Sequence, residues 1–341
     1  MPKLIFSRRI LNILAIIFVN IIILFSFFIL FELSLRLFWR MSTLQGGFYI
    51  TSKNHTLRYE LKPGISIGGI TINSDGFRDK DYTIEKPKNT FRIIVLGDSE
   101  TFSKSLPLED SMPKKLQYEL DRRCKGNFFE VFNMGVEGYN AIQELEFLKY
   151  KGLKYKPDLV ILYYCFNDPD YPEYYFKKNF LNSNFLVAKY IQYRIKKALV
   201  KRDRRLKHVK SEEENFKYLY THGSWDYTKE AILNMAELAS QNNFRFTVVF
   251  TLEASSAVLN FREGYPYWYI NEKLSAFLNS HNIAIIDPVY IFKEKNFKPL
   301  DLVISPKDRH KNAKANSIIA SYLSDELINR GMIPCGSSSH R

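Results

Sequence analysis

A serine hydroxyl becomes a nucleophile when an imidazole takes its proton and a further group fixes the imidazole's tautomer and supports its charge. The tetrahedral intermediate then needs preorganised N–H donors on its oxyanion. Residue types suited to these tasks stand at four places in the 341-residue chain. Ser99 lies in Gly97-Asp98-Ser99-Glu100-Thr101, directly after an apolar run. Gly138 ends Asn133-Met134-Gly135-Val136-Glu137-Gly138, and Asn167 follows a second apolar run in Cys165-Phe166-Asn167-Asp168-Pro169. Among 6 histidines, His310 alone has an aspartate, Asp308, two residues before it. The backbone N–H groups of Ser99 and Gly138 and the side-chain amide of Asn167 would supply three oxyanion donors. Taken singly, each residue has a plainer role: Ser99 with Asp98 caps a helix, Asn167 caps a turn, and His310 opens a helix. Asp98, Asp168 and Asp287 read as turn residues.

These residues need a frame that brings them together. Residues 93–96 are unbroken apolar and begin Ile-Ile-Val, as expected of a strand buried on both faces. Similar runs occupy 128–132, 159–164, 244–251 and 283–286. Helix-like segments occupy 108–123, 141–153, 228–241, 267–280 and 313–329. The alternation predicts an α/β fold, and the right-handed crossover rule makes a flavodoxin-like αβα sandwich with a five-stranded, mostly parallel sheet the simplest topology. In such sheets ligands bind beyond the carboxyl ends of the strands, and that is where Ser99, Gly138 and Asn167 fall.

The motifs Gly97-Asp98-Ser99-x-Thr101, the glycine turn ending in Gly138, Phe166-Asn167-Asp168 and Asp308-x-His310, in that order, resemble the SGNH (GDSL-like) hydrolase superfamily. The run Asn73-Ser74-Asp75-Gly76-Phe77-Arg78 and an apolar N-terminus resemble its membrane-bound bacterial branch. The resemblance covers residues 73–330 and implies a serine esterase or acyltransferase. It makes Ser99 the nucleophile, Gly138 and Asn167 oxyanion donors, His310 the base and Asp308 its orienter. Three positions depart from the pattern. The last block is commonly Asp-x-x-His, so a Ser99–His310 dyad held by a backbone carbonyl stands beside the triad. Phe166 occupies a usual glycine position, and Lys311 one often taken by proline. Gly135 is the alternative oxyanion glycine, although the spacing from Ser99 favours Gly138.

Residues 10–31 are almost wholly apolar, and 22 residues at a rise of about 1.5 Å span about 33 Å, enough to cross a bilayer core. A cleaved signal peptide has a shorter apolar region ending at small residues, so residues 1–40 read as one uncleaved transmembrane anchor. Asn12 and Asn20 share a helix face and either contact another helix or are tolerated singly. Lys3, Arg8 and Arg9 before the span, against Arg36 and Arg40 after it, favour a single-pass protein with its catalytic domain outside the cytoplasm. Residues 41–90, rich in turn signals, form a connecting β and loop region packed on the main domain at 91–330. A tail follows at 331–341.

The net charge of +13 is concentrated in an insertion at 171–224, whose core, 186–210, carries a net +9 on an amphipathic helical pattern. It lies on anionic lipid, draws an anionic substrate to the site, or is a solvated basic face. Nucleic acid is the least favoured partner. The 3 cysteines, odd in number and widely spaced, give neither a disulfide framework nor a zinc pattern, and Cys165 reads as a small buried hydrophobe. No cofactor or metal is expected. A phosphate or flavin loop at Ser99-x-Thr101-x-Ser103 meets a repelling carboxylate at Glu100 and a phenylalanine where glycine is wanted.

The expected function is therefore a membrane-anchored serine esterase or deacylase acting on an O-acylated carbohydrate or lipid-linked substrate. A polysaccharide O-acetyltransferase with the same residues and a non-catalytic binding protein of the same fold are the alternatives.

Overall fold

An almost unbroken apolar run at the start of the chain closes its backbone hydrogen bonds within itself as a long helix. In the computed structural model, which describes residues 8–170, 211–221, 223–254, 258, 260–262 and 264–335, helix α1 runs over Arg8–Gly46. Its stretch Ile10–Ser34 is long and apolar enough to cross a membrane, and side chains such as Phe18, Leu24 and Phe27 are exposed. The Asn20 amide donates to the Ile16 carbonyl at 2.8 Å within the same helix, so it is satisfied without a second helix. The helix passes the expected boundary at residue 40 by six residues.

The chain divides after Gly47, and the second unit begins with two small hairpins. Strands β1 (Tyr49–Thr51) and β2 (Tyr59–Leu61) pair antiparallel, as do β3 (Ser66–Ile67) and β4 (Ile70–Thr71). Phe48, Leu57, Leu61, Ile72, Phe77 and Tyr82 of this region are buried in the same core as the main sheet.

Next come β5 (Thr90–Gly97), the single turn α2 (Ser99–Phe102), α3 (Met112–Arg123), β6 (Phe128–Gly135), α4 (Ala141–Phe147) and β7 (Leu159–Tyr164). They are followed by α5 (Glu212–Leu219), α6 (Gly223–Asn242), β8 (Arg245–Phe250), α7 (Trp268–Ser280), β9 (Ala284–Ile286), α8 (Val289–Glu294) and α9 (Ala313–Asn329). The five strands β5 to β9 form one sheet in the order β6-β5-β7-β8-β9, and every pairing is parallel. This is the flavodoxin-like order. Right-handed crossovers put α3 on one face, because β5 to β6 runs one way along the sheet. The later crossovers run the other way and put α4, α6 and α7 on the opposite face. Helix α9 packs against α3, and α4 against α6.

Strands β5 and β6 are longer than their apolar runs, because polar residues inside them are paired; β7 matches its run, and β8 and β9 are shorter than theirs. Strand β5 begins at Thr90, not residue 93. Arg92 within it is fully buried, with Nε 2.7 Å from Glu130 and a terminal nitrogen donating to the Ile84 and Tyr155 carbonyls. Strand β6 continues through Asn133 to Gly135 because the Asn133 amide donates to the Thr101 carbonyl at 2.9 Å. The helix expected over 141–153 is α-helical only to Phe147; Leu148–Gly152 form a wider turn and Leu153–Tyr155 a tighter one.

One expectation is overturned. Number and spacing point to no disulfide framework, yet Cys124 and Cys335 form a disulfide across 211 positions. An odd cysteine count hid a pair that the side-by-side packing of α3 and α9 creates. The bond pins the segment expected to be a tail, where Ile333 is also buried. Cys165 is free and buried. The basic segment 186–210 lies outside the described residues.

Candidate active site

Two glycines let the Ser99 turn press onto the end of the sheet. Gly97 and Gly135 are partners in the β5–β6 register. A Cβ on Gly97 would lie 2.1 Å from the Thr101 hydroxyl, and one on Gly135 would lie 2.3 Å from the Phe102 nitrogen. Either side chain would drive α2 away from the strands. The Asp98 carboxylate caps this turn, accepting from the Glu100 N–H at 2.9 Å. Its far end is held by Arg78, a buried guanidinium that donates to the carbonyls of Phe102, Ser103 and Leu106. The stretch 73–78 thus reaches the Ser99 turn through an arginine that satisfies carbonyls a short helix leaves open.

His310 arrives on a hairpin before α9. Val303 and Lys311 form an antiparallel bridge, and the Ile304 N–H donates to the His310 carbonyl at 2.9 Å. Inside the hairpin the Ser305 N–H donates to the Asp308 carbonyl at 3.0 Å, a turn that folds Asp308 back over the imidazole. His310 Nε2 is 2.8 Å from Ser99 Oγ, and Nδ1 is 2.6 Å from Asp308 Oδ1. The structure therefore joins Ser99, His310 and Asp308 in one line despite the short Asp-x-His spacing.

The remaining residues sit at neighbouring strand ends. Ser99 follows β5 and Asn167 follows β7, so they flank the point where the strand order reverses, the usual ligand crevice of such sheets. Asn167 is exposed, and its amide donates to Asp98 Oδ2 at 3.3 Å. Gly138 follows β6 in a turn closed by the Tyr139 N–H on the Val136 carbonyl at 3.1 Å. Its φ of +77° is the third-position signature of a type II turn, which favours glycine. The Gly135 N–H instead donates to Asn133 Oδ1 at 3.1 Å, so that donor is already used.

Charge around the imidazole is arranged to keep it poised. Burial opposes a proton on His310, but the carboxylates of Glu100 and Asp308 outweigh it and raise its pKa. Burial alone would raise Asp308; the hydrogen bonds from His310 and Ser105 hold it below the ordinary carboxylate value. The Ser105 hydroxyl lies 2.8 Å from Asp308 Oδ2. Buried Lys311, whose ammonium is 2.8 Å from Glu100, likewise has its pKa raised, the carboxylate more than offsetting burial. Three further carboxyls lie beneath the site. Burial pushes Asp98 up. It pushes Glu144 and Asp168 well above the carboxylate range, each aided by a neighbouring carboxyl. Among the described residues neither oxygen of Glu144 has a hydrogen-bond partner.

Glu100, Lys311, Ser105, Arg78 and Tyr59, whose hydroxyl donates to the Glu137 carbonyl at 2.7 Å, were not singled out as site residues from the sequence. Only their partners across the fold reveal them. Among the described residues no group of three or more His, Cys, Asp or Glu side chains is arranged to hold a metal ion.

No family model matches the chain, and no curated protein matches it by sequence. A comparison with solved structures finds similar chains. A Desulfitobacterium hafniense protein, provisionally described as lipolytic and of the G-D-S-L family, is 16% identical over 69% of this chain and 98% of its own, with a TM-score of 0.40. An acetylxylan esterase from Geobacillus stearothermophilus is 13% identical over 70% of this chain and 94% of its own, with a TM-score of 0.44. The esterase EstA from a Pseudoalteromonas species is 14% identical over 71% and 98%, with a TM-score of 0.40.

Proposed function

We propose that the protein is a membrane-anchored serine esterase or deacylase that works through an acyl-enzyme on Ser99. The observation that carries this reading is the unbroken hydrogen-bonded line Asp308–His310–Ser99 at the carboxyl edge of a parallel sheet. His310 Nε2 takes the Ser99 proton as Oγ attacks the ester carbonyl. Asp308 fixes the tautomer and supports the imidazolium. The N–H groups of Ser99 and Gly138 and the Asn167 amide receive the oxyanion. Collapse expels the alcohol, which takes the proton from His310 and leaves the acyl group on Ser99. Water, activated in turn by His310, releases the acid.

The substrate class we propose is an O-acylated carbohydrate or lipid-linked ester presented at the membrane. Helix α1 would anchor the enzyme beside it. The Cys124–Cys335 disulfide suits an oxidising compartment, which supports a catalytic unit on the extracytoplasmic side. A sugar hydroxyl can replace water as acceptor of the same acyl group. Hydrolysis of an aryl acetate by the purified full chain, with and without a polysaccharide acceptor, tests the reading. Ser99→Ala should abolish the release of acetate; unchanged hydrolysis would refute the acyl-enzyme. Acetylated polysaccharide in place of free acetate would assign transfer.

A further inference from the structure

The hairpin β1–β2 precedes the sheet and carries none of the residues expected to do chemistry, yet it ends at the Gly138 turn. The Tyr59 hydroxyl donates to the carbonyl oxygen of Glu137 at 2.7 Å. That carbonyl and the Gly138 N–H belong to one planar peptide unit and point in opposite directions. In a turn closed by Val136 and Tyr139 this is the central peptide. Types I and II differ mainly by rotating it through about half a turn. Glycine at φ +77° permits the type II form, and the Tyr59 bond adds a directional hold on it.

The hold is itself braced. The Tyr139 hydroxyl donates back to the Tyr59 carbonyl at 2.6 Å, and the two rings meet edge to face at 5.3 Å. The Tyr49 hydroxyl donates to the Glu137 carboxylate, which Lys104 also approaches. The fit is close as well, since a Cβ on Gly138 would lie 3.1 Å from the Tyr59 hydroxyl.

We propose that Tyr59 is a positioning residue for catalysis: by capturing the Glu137 carbonyl it aims and polarises the Gly138 N–H as an oxyanion donor. The proposal rests on the reading of Gly138 given above. A donor held before the reaction begins costs no reorganisation as charge develops on the oxygen. The connecting segment, far from being a spacer, would then complete the catalytic unit.

Tyr59→Phe removes one oxygen and keeps the ring contacts. In the full chain it should lower kcat on an aryl acetate about tenfold or more, short of the 10²–10³-fold loss typical of deleting a whole donor. KM and the melting temperature should be nearly unchanged. The affinity of an arylboronic acid, which mimics the tetrahedral adduct, should fall by the same factor as kcat. A cycle with Gly138→Ala should be non-additive, the second change costing less once Tyr59 has lost its hydroxyl. Unchanged kcat and boronate affinity, or a strictly additive cycle, would overturn the role of Tyr59. Phosphonate labelling separates the two levels of the argument. Normal labelling of Ser99 in the wild type with an unaffected Tyr59→Phe enzyme removes Tyr59 alone, whereas a wild type that does not label removes the acyl-enzyme and this proposal together.

Discussion

His310 shows how few atoms set the behaviour of the site. Its pKa is raised because the carboxylates of Glu100 and Asp308 outweigh burial, while Lys311 pulls the other way. A base must be neutral to accept the Ser99 proton, so activity should rise with pH through the raised His310 value. Glu100→Gln removes one carboxylate and should move the acid limb of kcat/KM to lower pH; Lys311→Met should move it to higher pH. Profiles that coincide with the wild type would show that the pair does not act on His310. The serine, asparagine and histidine were legible in the sequence because an apolar run or a helix begins or ends beside each. Glu100 and Lys311 were not, because 211 positions separate them and neither spacing nor composition hints at a buried ion pair.

At the scale of elements, α4 brings a carboxyl under the sheet edge. Burial first, and Asp98 second, hold the Glu144 pKa well above the ordinary value, so the folded protein keeps it protonated while the unfolded chain ionises. The stability this contributes is complete below the unfolded pKa, near 4.3, and is lost progressively as pH rises toward the folded value. Glu144→Gln cannot ionise in either state. The urea midpoint of the variant relative to wild type should therefore climb as pH rises above the unfolded value, and a difference that does not change with pH there would contradict a raised Glu144 pKa. The five strands were readable from hydrophobic runs, and their order in the sheet from the right-handed crossover rule. Their ends were not: Arg92 and Asn133 fall outside the apolar runs, and their pairing with Glu130 and the Thr101 carbonyl carries the strands through them. In the fold Gly97 and Gly135 are points of close approach between two strands and one helical turn.

For the whole molecule, the cysteines give the plainest test of compartment. With Cys124 and Cys335 joined and Cys165 buried, the native protein from membranes should react with no thiol reagent, the unfolded protein with one equivalent, and the reduced unfolded protein with three. Three equivalents before reduction would place the domain in a reducing compartment. Losing a native disulfide typically costs about 2–5 kcal/mol, so a reducing agent should also lower the melting temperature. The connecting segment is the part of the molecule that sequence reading valued least. Arg78 and Tyr59 tie it to both sides of the site, a fact that depends on packing between distant turns.

The central claim is that Ser99 forms a covalent intermediate with its proton taken by His310. It is tested most directly by treating the purified full chain with an aryl phosphonate and locating the adduct by mass spectrometry. One equivalent should bind at Ser99 and none in Ser99→Ala, and labelling should slow by orders of magnitude in His310→Asn. Labelling elsewhere, or labelling of Ser99 at the same rate without His310, would contradict it.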